Sequence, residues 1–314
     1  MHIGIDMMGG DFAPAATVQG VLLAAEELKS KANLVLIGNE RIIREEFSTH
    51  GISADAYTIV DAQSVIEMGE HPARAFTQKT DSSIAVGFQL LKEGKIQAFA
   101  GAGNTGAMLV GSVLSIGTID GVQRPCIMSL IPKEKGGYGI LLDVGSNADC
   151  KPELLVQFAY LGSMYAVNVL GIENPKVGLI NIGEEPEKGN QLALATHQLL
   201  NEASEINFIG NIEGRDLFNQ KADVMVCDGF TGNVMLKQAE AFYWLIRKRE
   251  ISDPYLNRFN YENYGGTPIL GVNSTVIVGH GISNKIAIKN MILLAYDVEK
   301  AGLTEKIKAV LQHD

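Results

Sequence analysis

Cysteine is scarce in this chain. The 314 residues hold three, Cys126, Cys150 and Cys227, an odd number set far apart with no C-x-x-C, so neither a disulfide framework nor a zinc site is encoded. No H-x-x-x-H, carboxylate pair at helical spacing or Cys/His cluster supplies metal ligands. Cys150 stands beside Lys151 without a neighbouring histidine to act as base, and reads as a small hydrophobe rather than a nucleophile. Long apolar runs are also missing. None approaches the roughly 18 to 20 residues that span a bilayer, and no basic n-region with an apolar h-region opens the chain, so a cytoplasmic protein is expected. Positive charge is in deficit, with 26 Lys and Arg against 36 Asp and Glu and a net charge of -10. A surface generally basic enough for nucleic acid is thereby excluded, and an acidic protein partner would need a local basic patch.

What is present is a hydrophobic content of 46%, enough for one large α/β domain or two small ones with a sizeable core. Short apolar runs alternate with amphipathic stretches, as expected of a mostly parallel sheet covered by helices. Strands are expected at Ile3 to Met7, Asn33 to Gly38, Tyr57 to Asp61 and Ile96 to Ala100, and helices at Glu40 to His50 and, behind Asp81-Ser82-Ser83, at Ile84 to Lys92. Cys126 to Ile131 and Tyr138 to Val144 flank Lys133-Glu134-Lys135-Gly136-Gly137, which predicts an antiparallel hairpin. The βαβ rhythm resumes from Pro152, and a long helix is expected from about Gly232 to Glu250.

Five segments can carry chemistry. Gly101-x-Gly103-x-x-Gly106 lies between a strand and a helix and matches the dinucleotide fingerprint. The second strand with its acidic residue is missing, because the chain leads into Arg124-Pro125 and the hairpin, so a nicotinamide cofactor is not expected. The glycines suit either close approach to an anion or tight packing. Asn181 to Asn190, with Glu184, Glu185, Glu187 and Lys188, sits where a strand gives way to a helix, the edge at which open α/β sheets place ligands. Lys188 is either a counterion of these carboxylates or a functional cation, and the helix dipole disfavours a lysine there without a specific job. Cys227 to Asn233 forms a second such junction, where Asn233 either donates from its amide or shares helix capping with Thr231. Asp143 and Asn147, after the hairpin, face a cleft or cap a turn, and His280 stands in the glycine-framed turn Gly279-His280-Gly281.

Along essentially its whole length the sequence resembles the phosphate acyltransferases of phospholipid synthesis, the PlsX family. The resemblance rests on Gly4-Ile5-Asp6-Met7-Met8-Gly9-Gly10-Asp11-x-x-Pro14, Lys79-x-Asp81-Ser82-Ser83, Gly103-Asn104-Thr105-Gly106-Ala107 and Arg124-Pro125. It continues through Leu142-Asp143-Val144-Gly145-x-Asn147, Asp149-x-Lys151-Pro152, Asn181-Ile182-Gly183-Glu184-Glu185-x-x-Lys188-Gly189-Asn190, Asp228-Gly229-Phe230-Thr231-Gly232-Asn233 and Tyr264-Gly265-Gly266 with Pro268 and Leu270 to Asn273.

The resemblance implies a single domain over 1–314, a three-layer α/β/α sandwich with a mostly parallel sheet and an antiparallel hairpin. That fold is similar to those of phosphate acetyltransferases and of isocitrate and isopropylmalate dehydrogenases. It implies a homodimer that moves a fatty acyl group from acyl carrier protein to inorganic phosphate without cofactor or metal. Lys188 and Asn233 are then the functional pair. Asp6, Gly9, Gly10, Asp11, Gly103, Asn104, Thr105, Gly106, Asp143, Asn147, Glu184 and His280 are expected around the substrate. The alternatives are a coenzyme A-dependent enzyme of the phosphate acetyltransferase kind and a non-catalytic scaffold that binds carrier protein. Three departures stand out: Thr77-Gln78-Lys79 where the family is more basic, Gly101 where it has serine, and Asn273-Ser274 where it has Asn-Gly. A segment at about 233–264, shorter than the family's helical hairpin, is expected to dimerise and to dock the carrier through Arg247, Lys248 and Arg249, with weak peripheral membrane contact.

Overall fold

The structure, a computed structural model, describes residues 1–311. It forms two compact units, Met1–Ile119 with Tyr261–Lys300, and Asp120–Asn260 with the segment from Ala301.

The first unit opens with β1 (His2–Asp6), α1 (Ala15–Leu28), β2 (Asn33–Gly38), α2 (Glu40–Thr49) and β3 (Thr58–Asp61). It continues through α3 (Pro72–Gln78), α4 (Ser83–Lys92), β4 (Ala98–Gly101) and α5 (Thr105–Gly111), which runs on into a π-helical turn, Ser112–Ile116. Leu34, Val35, Leu36 and Ile37 are all buried, as in a parallel strand covered on both faces. Three of these helices start where a side chain satisfies a free N–H group: Asn39 accepts from Ile42 N, Ser82 from Ala85 N and Asn104 from Ala107 N.

The second unit contains β5 (Cys126–Pro132), β6 (Tyr138–Leu142), α6 (Pro152–Asn168), β7 (Val177–Ile180), α7 (Gln191–Glu202), β8 (Phe208–Ile212), β9 (Val224–Val226) and α8 (Gly229–Lys248). β5 and β6 form the expected antiparallel hairpin, with Pro132 opposite Tyr138. β6, β9, β7 and β8 then run parallel in that spatial order. α6 covers one face, its Gly162 allowing close approach to Val224 and Leu142. Arg258 fastens the turn beyond α8 to the hairpin by donating to the carbonyls of Lys133 and Gly137 and stacking on Tyr138.

The chain then returns to the first unit with β10 (Gly266–Leu270), β11 (Thr275–Gly279) and α9 (Lys285–Lys300), before α10 (Leu303–Leu311) packs on α6. In the first unit the strand order is β3-β2-β1-β4-β11-β10, parallel except for the β10–β11 pair. Phe99 points to α4, while Gly279, on the opposite face by the β11–β4 register, meets Met291 of α9, so helices cover both faces. α3 and α10 carry no expectation from the sequence pattern. α8 begins earlier than expected, at Gly229.

Candidate active site

In the second unit, β6, β9 and β7 are neighbouring parallel strands, so the segments leaving their carboxyl ends share one sheet edge. These segments hold Asp143, Asn233 and Lys188. Asp143 is fully buried. Its Oδ1 accepts from Ile127 N at 3.1 Å, Ser146 N at 3.3 Å and Ser146 Oγ at 2.7 Å, and its Oδ2 from Asn147 N at 2.7 Å and Asn147 Nδ2 at 3.0 Å. Asn147 is also buried and donates to Pro125 O. Of the two readings of Asp143 and Asn147, facing a cleft or capping a turn, these bonds match the turn. Their polar atoms are spent on each other and on backbone, and their role is to fix the loop after β6.

That loop in turn orients Asn233. Its Nδ2 donates to Val144 O at 3.1 Å, which takes one amide hydrogen and leaves the other. The capping alternative is overturned. Asp228 caps α8, accepting from Thr231 N and Thr231 Oγ1, both at 2.8 Å, so Asn233 stands in the helix with its amide free of that task. Gly229 N donates to Asn147 O at 2.7 Å, which ties the start of α8 to the same loop.

Lys188 is exposed and makes no ion pair with another described residue. The view of it as counterion to the glutamates fails for Glu184, which pairs instead with Lys221 at 2.8 Å and Arg215 at 3.5 Å. The Lys221 ammonium holds the Glu184 carboxyl below its ordinary range. Glu184, expected near substrate, thus has its charge shared with Lys221 and Arg215. The stem of Lys188 passes over Gly183, where a Cβ would lie 3.0 Å from its Cγ.

The first unit gathers a second cluster. The Asp6 carboxylate, buried, accepts from Met8 N at 3.0 Å and Gly9 N at 3.1 Å through Oδ1, and folds the turn after β1. A Cβ on Gly9 would overlap Asp6 Oδ2 and stand 2.7 Å from Gly103 N, and one on Gly101 would stand 2.9 Å from Asp6 Cβ. The glycines of the fingerprint thus serve close packing around Asp6, and Gly106 does the same against Pro72. Oδ2 of Asp6 has no hydrogen-bond partner, and the nearby Ser83 hydroxyl, close enough to lower the carboxyl's pKa, does not reach bonding geometry. Burial outweighs these contacts and pushes the Asp6 pKa up. Asp6 is an internal support, not a surface contact.

Asn104 is likewise bonded internally. Its Nδ2 donates to the carbonyls of Glu67, Met68 and Glu70 at 3.0 to 3.3 Å and its Oδ1 caps α5, so it clamps the segment before α3. Lys79 belongs to the same clamp, bound to Glu70 at 2.6 Å and Val65 O at 2.7 Å. Asp11 and Thr105 are exposed, and Asp11 N donates to Gly281 O at 2.8 Å, which brings the Gly10-Asp11 turn against the His280 turn. The His280 ring lies 5.6 Å from that of Tyr261.

Among the described residues no group of three or more His, Cys, Asp or Glu is placed to hold a metal ion, and no helix is long and apolar enough to cross a membrane. Cys150 donates weakly to Asn147 O, and burial pushes its thiol up to about 11, which keeps it protonated at neutral pH.

The model of a family described as fatty acid synthesis protein matches residues 1–306. The phosphate acyltransferase of Desulfitobacterium hafniense (strain DSM 10664 / DCB-2) is 44% identical over 331 aligned positions, covering 99% of this chain and 98% of that protein. Among solved structures, a phosphotransacetylase from Streptococcus pyogenes superposes with a TM-score of 0.67 at 16% identity, covering 96% of this chain and 94% of that one. A 4-hydroxythreonine-4-phosphate dehydrogenase from Burkholderia phymatum does so with a TM-score of 0.52 at 19% identity, covering 96% and 98%. These likenesses establish the fold, a mixed α/β architecture shared by phosphotransacetylases and a dehydrogenase. Matched by the family model over nearly its whole length and by full-length relatives at this identity, the chain belongs to the fatty acid synthesis protein family that includes the phosphate acyltransferases.

Proposed function

We propose that this chain, acting as one catalytic domain over 1–314, transfers a fatty acyl group from the thioester of acyl carrier protein to inorganic phosphate, for phospholipid synthesis. The observation that carries the reading is an exposed lysine without a carboxylate partner on the same sheet edge as an asparagine amide with one N–H unspent, in a member of this family.

A phosphate oxygen attacks the thioester carbonyl, a C–O bond forms, and the carbonyl electron pair moves onto oxygen. Collapse of that tetrahedral oxyanion breaks the C–S bond, and the carrier's thiolate leaves and takes a proton from water. A thiolate departs readily, so the protein's task is to place a dianion beside an acyl carbon and to stabilise the charge that develops. Lys188 binds and neutralises phosphate or the oxyanion, and the second N–H of Asn233 polarises the carbonyl. Gly10, Asp11, Thr105 and His280 contact substrate, while Gly9, Gly103 and Gly106 let their turns close.

The exposed apolar side chains of α8, Phe230, Val234, Phe242 and Leu245, support a homodimer contact along that helix. At its end Arg247, Lys248 and Arg249 are exposed in a chain of net charge -10, a suitable dock for an acidic carrier. Trp244 and Ile251 beside them suit weak peripheral membrane contact at the cytoplasmic face.

The test is to incubate the pure protein with acyl carrier protein thioester and phosphate and to trap acyl phosphate with hydroxylamine. Phosphate-dependent acyl hydroxamate and free carrier thiol are expected, with the rate unchanged by chelator. No hydroxamate, or equal efficiency with a coenzyme A thioester, would overturn the reading. Charge reversal of Arg247, Lys248 and Arg249 is expected to raise KM for the carrier and reduce its salt sensitivity. If only liposome sedimentation changes, the cluster is a membrane anchor instead.

A further inference from the structure

The loop that bears Lys188 is pinned by two asparagines. Asn211 Nδ2 donates to Glu185 O at 2.9 Å, and Asn181 Nδ2 donates to Lys188 O at 3.0 Å. Of these two, Asn211 is buried in β8. Its amide orientation is set by His197 of α7, whose Nδ1 lies 2.9 Å from Asn211 Oδ1. Because the Asn211 nitrogen is committed to a carbonyl, its oxygen must accept, and His197 must therefore carry its hydrogen on Nδ1.

The strand itself is bent to make this contact. Between β7 and β8 the register slips, Val177 pairing with Phe208 but Leu179 with Asn211, and Gly210 inside the slip has φ +93°. In a regular strand Phe208 and Asn211, three apart, point to opposite faces. Here both reach His197, Phe208 by an edge-on ring contact at 5.2 Å and Asn211 by its hydrogen bond. An extra residue in β8 has re-aimed Asn211, as bulges beside active sites do.

We infer that Asn211, aimed by the bulge at Gly210 and held in one orientation by His197, is a positioning residue that sets the place of Lys188 through the Glu185 carbonyl. This rests on the assignment of Lys188 to phosphate. The experiment is a double-mutant cycle on the acyl transfer reaction, with KM for phosphate and for the acyl thioester measured separately. His197→Phe keeps the ring contact but removes the donor, leaving Asn211 Oδ1 unanswered and its amide no longer locked in the orientation that donates to Glu185 O. It is expected to raise KM for phosphate on the order of 10-fold, within the range for a displaced catalytic group, with KM for the thioester unchanged. His197→Asn, which places an amide N–H near the lost Nδ1–H, is expected to restore it. On a Lys188→Ala background His197→Phe is expected to add nothing.

A native KM for phosphate in His197→Phe, or an equal loss on both backgrounds while Lys188→Ala alone is impaired, would overturn the inference and leave the role of Lys188 standing. Native turnover in Lys188→Ala overturns both. Should His197→Phe fail to fold, Asn211→Ala replaces it in the same cycle with the same criteria.

Discussion

Asp6 and Asp143 are two buried carboxylates at strand ends, one in each unit, and each shapes the turn that follows it. They differ in how fully they are answered. Asp143 accepts five hydrogen bonds across both oxygens, whereas Asp6 accepts two, both on Oδ1. A buried carboxylate is tolerable only when its lone pairs are met, and those of Asp143 are, whereas burial pushes the less fully answered Asp6 toward its neutral form. The difference locates rigidity. The loop that orients Asn233 hangs on the saturated carboxylate, while the turn after β1 hangs on one with an oxygen to spare.

One isosteric exchange made at both sites tests that contrast. Asp143→Asn puts an amide nitrogen among groups that all donate, so it is expected to cost about 2–4 kcal/mol in urea unfolding and to lower turnover as well. Asn233→Ala and Lys188→Ala are expected to lower turnover on the order of 10² to 10³-fold with little change in thermal midpoint. Near-native turnover in either removes that residue from the mechanism. If Asp143→Asn slows catalysis no more than Asn233→Ala does, Asp143 acts through the loop alone.

The smallest effect is expected at Asp6. Asp6→Asn keeps an oxygen for Met8 and Gly9 and offers Ser83 a donor, so stability at neutral pH should change by less than about 1 kcal/mol. The sign of its pH dependence follows from burial. With the folded pKa raised, the unfolded chain ionises first, so wild-type stability falls as pH climbs from the usual 3.8 to the raised value. Asp6→Asn should flatten that part of the stability profile. The contrast collapses if Asp6→Asn proves as damaging as Asp143→Asn.

Much of this was legible in sequence because it is local. The β5–β6 hairpin announces itself by turn residues between two apolar runs, Ser82 by its place before a helix, and the Lys188 and Asn233 junctions by glycine and polar residues at strand ends. What was hidden depends on partners distant in the chain. Asp143 stays open between a cleft and a turn, since nothing local shows that Ile127 N points at it. The glycines at 101, 103 and 106 suit an anion or tight packing alike until Asp6 and Pro72 appear behind them. His197 gave no signal at all, because a lone histidine on a helix does not reveal a bulged strand fourteen residues on. α3 is one short stretch of helix and α10 lies close to the chain end, and neither offers a long apolar period to find.

The interrupted course of the first unit has a consequence for synthesis. β4 needs β11 on its flank, Ala98 pairing with Thr275, and α1 needs α9. A chain emerging from the ribosome has therefore made the whole middle unit's strands before the first unit can finish its sheet. Until then β4 offers an open edge of buried-type residues, Ala98, Phe99 and Ala100, to any other strand nearby. Emergence of β11 and α9, rather than early collapse of β1 to β4, sets when this protein becomes safe from misassociation.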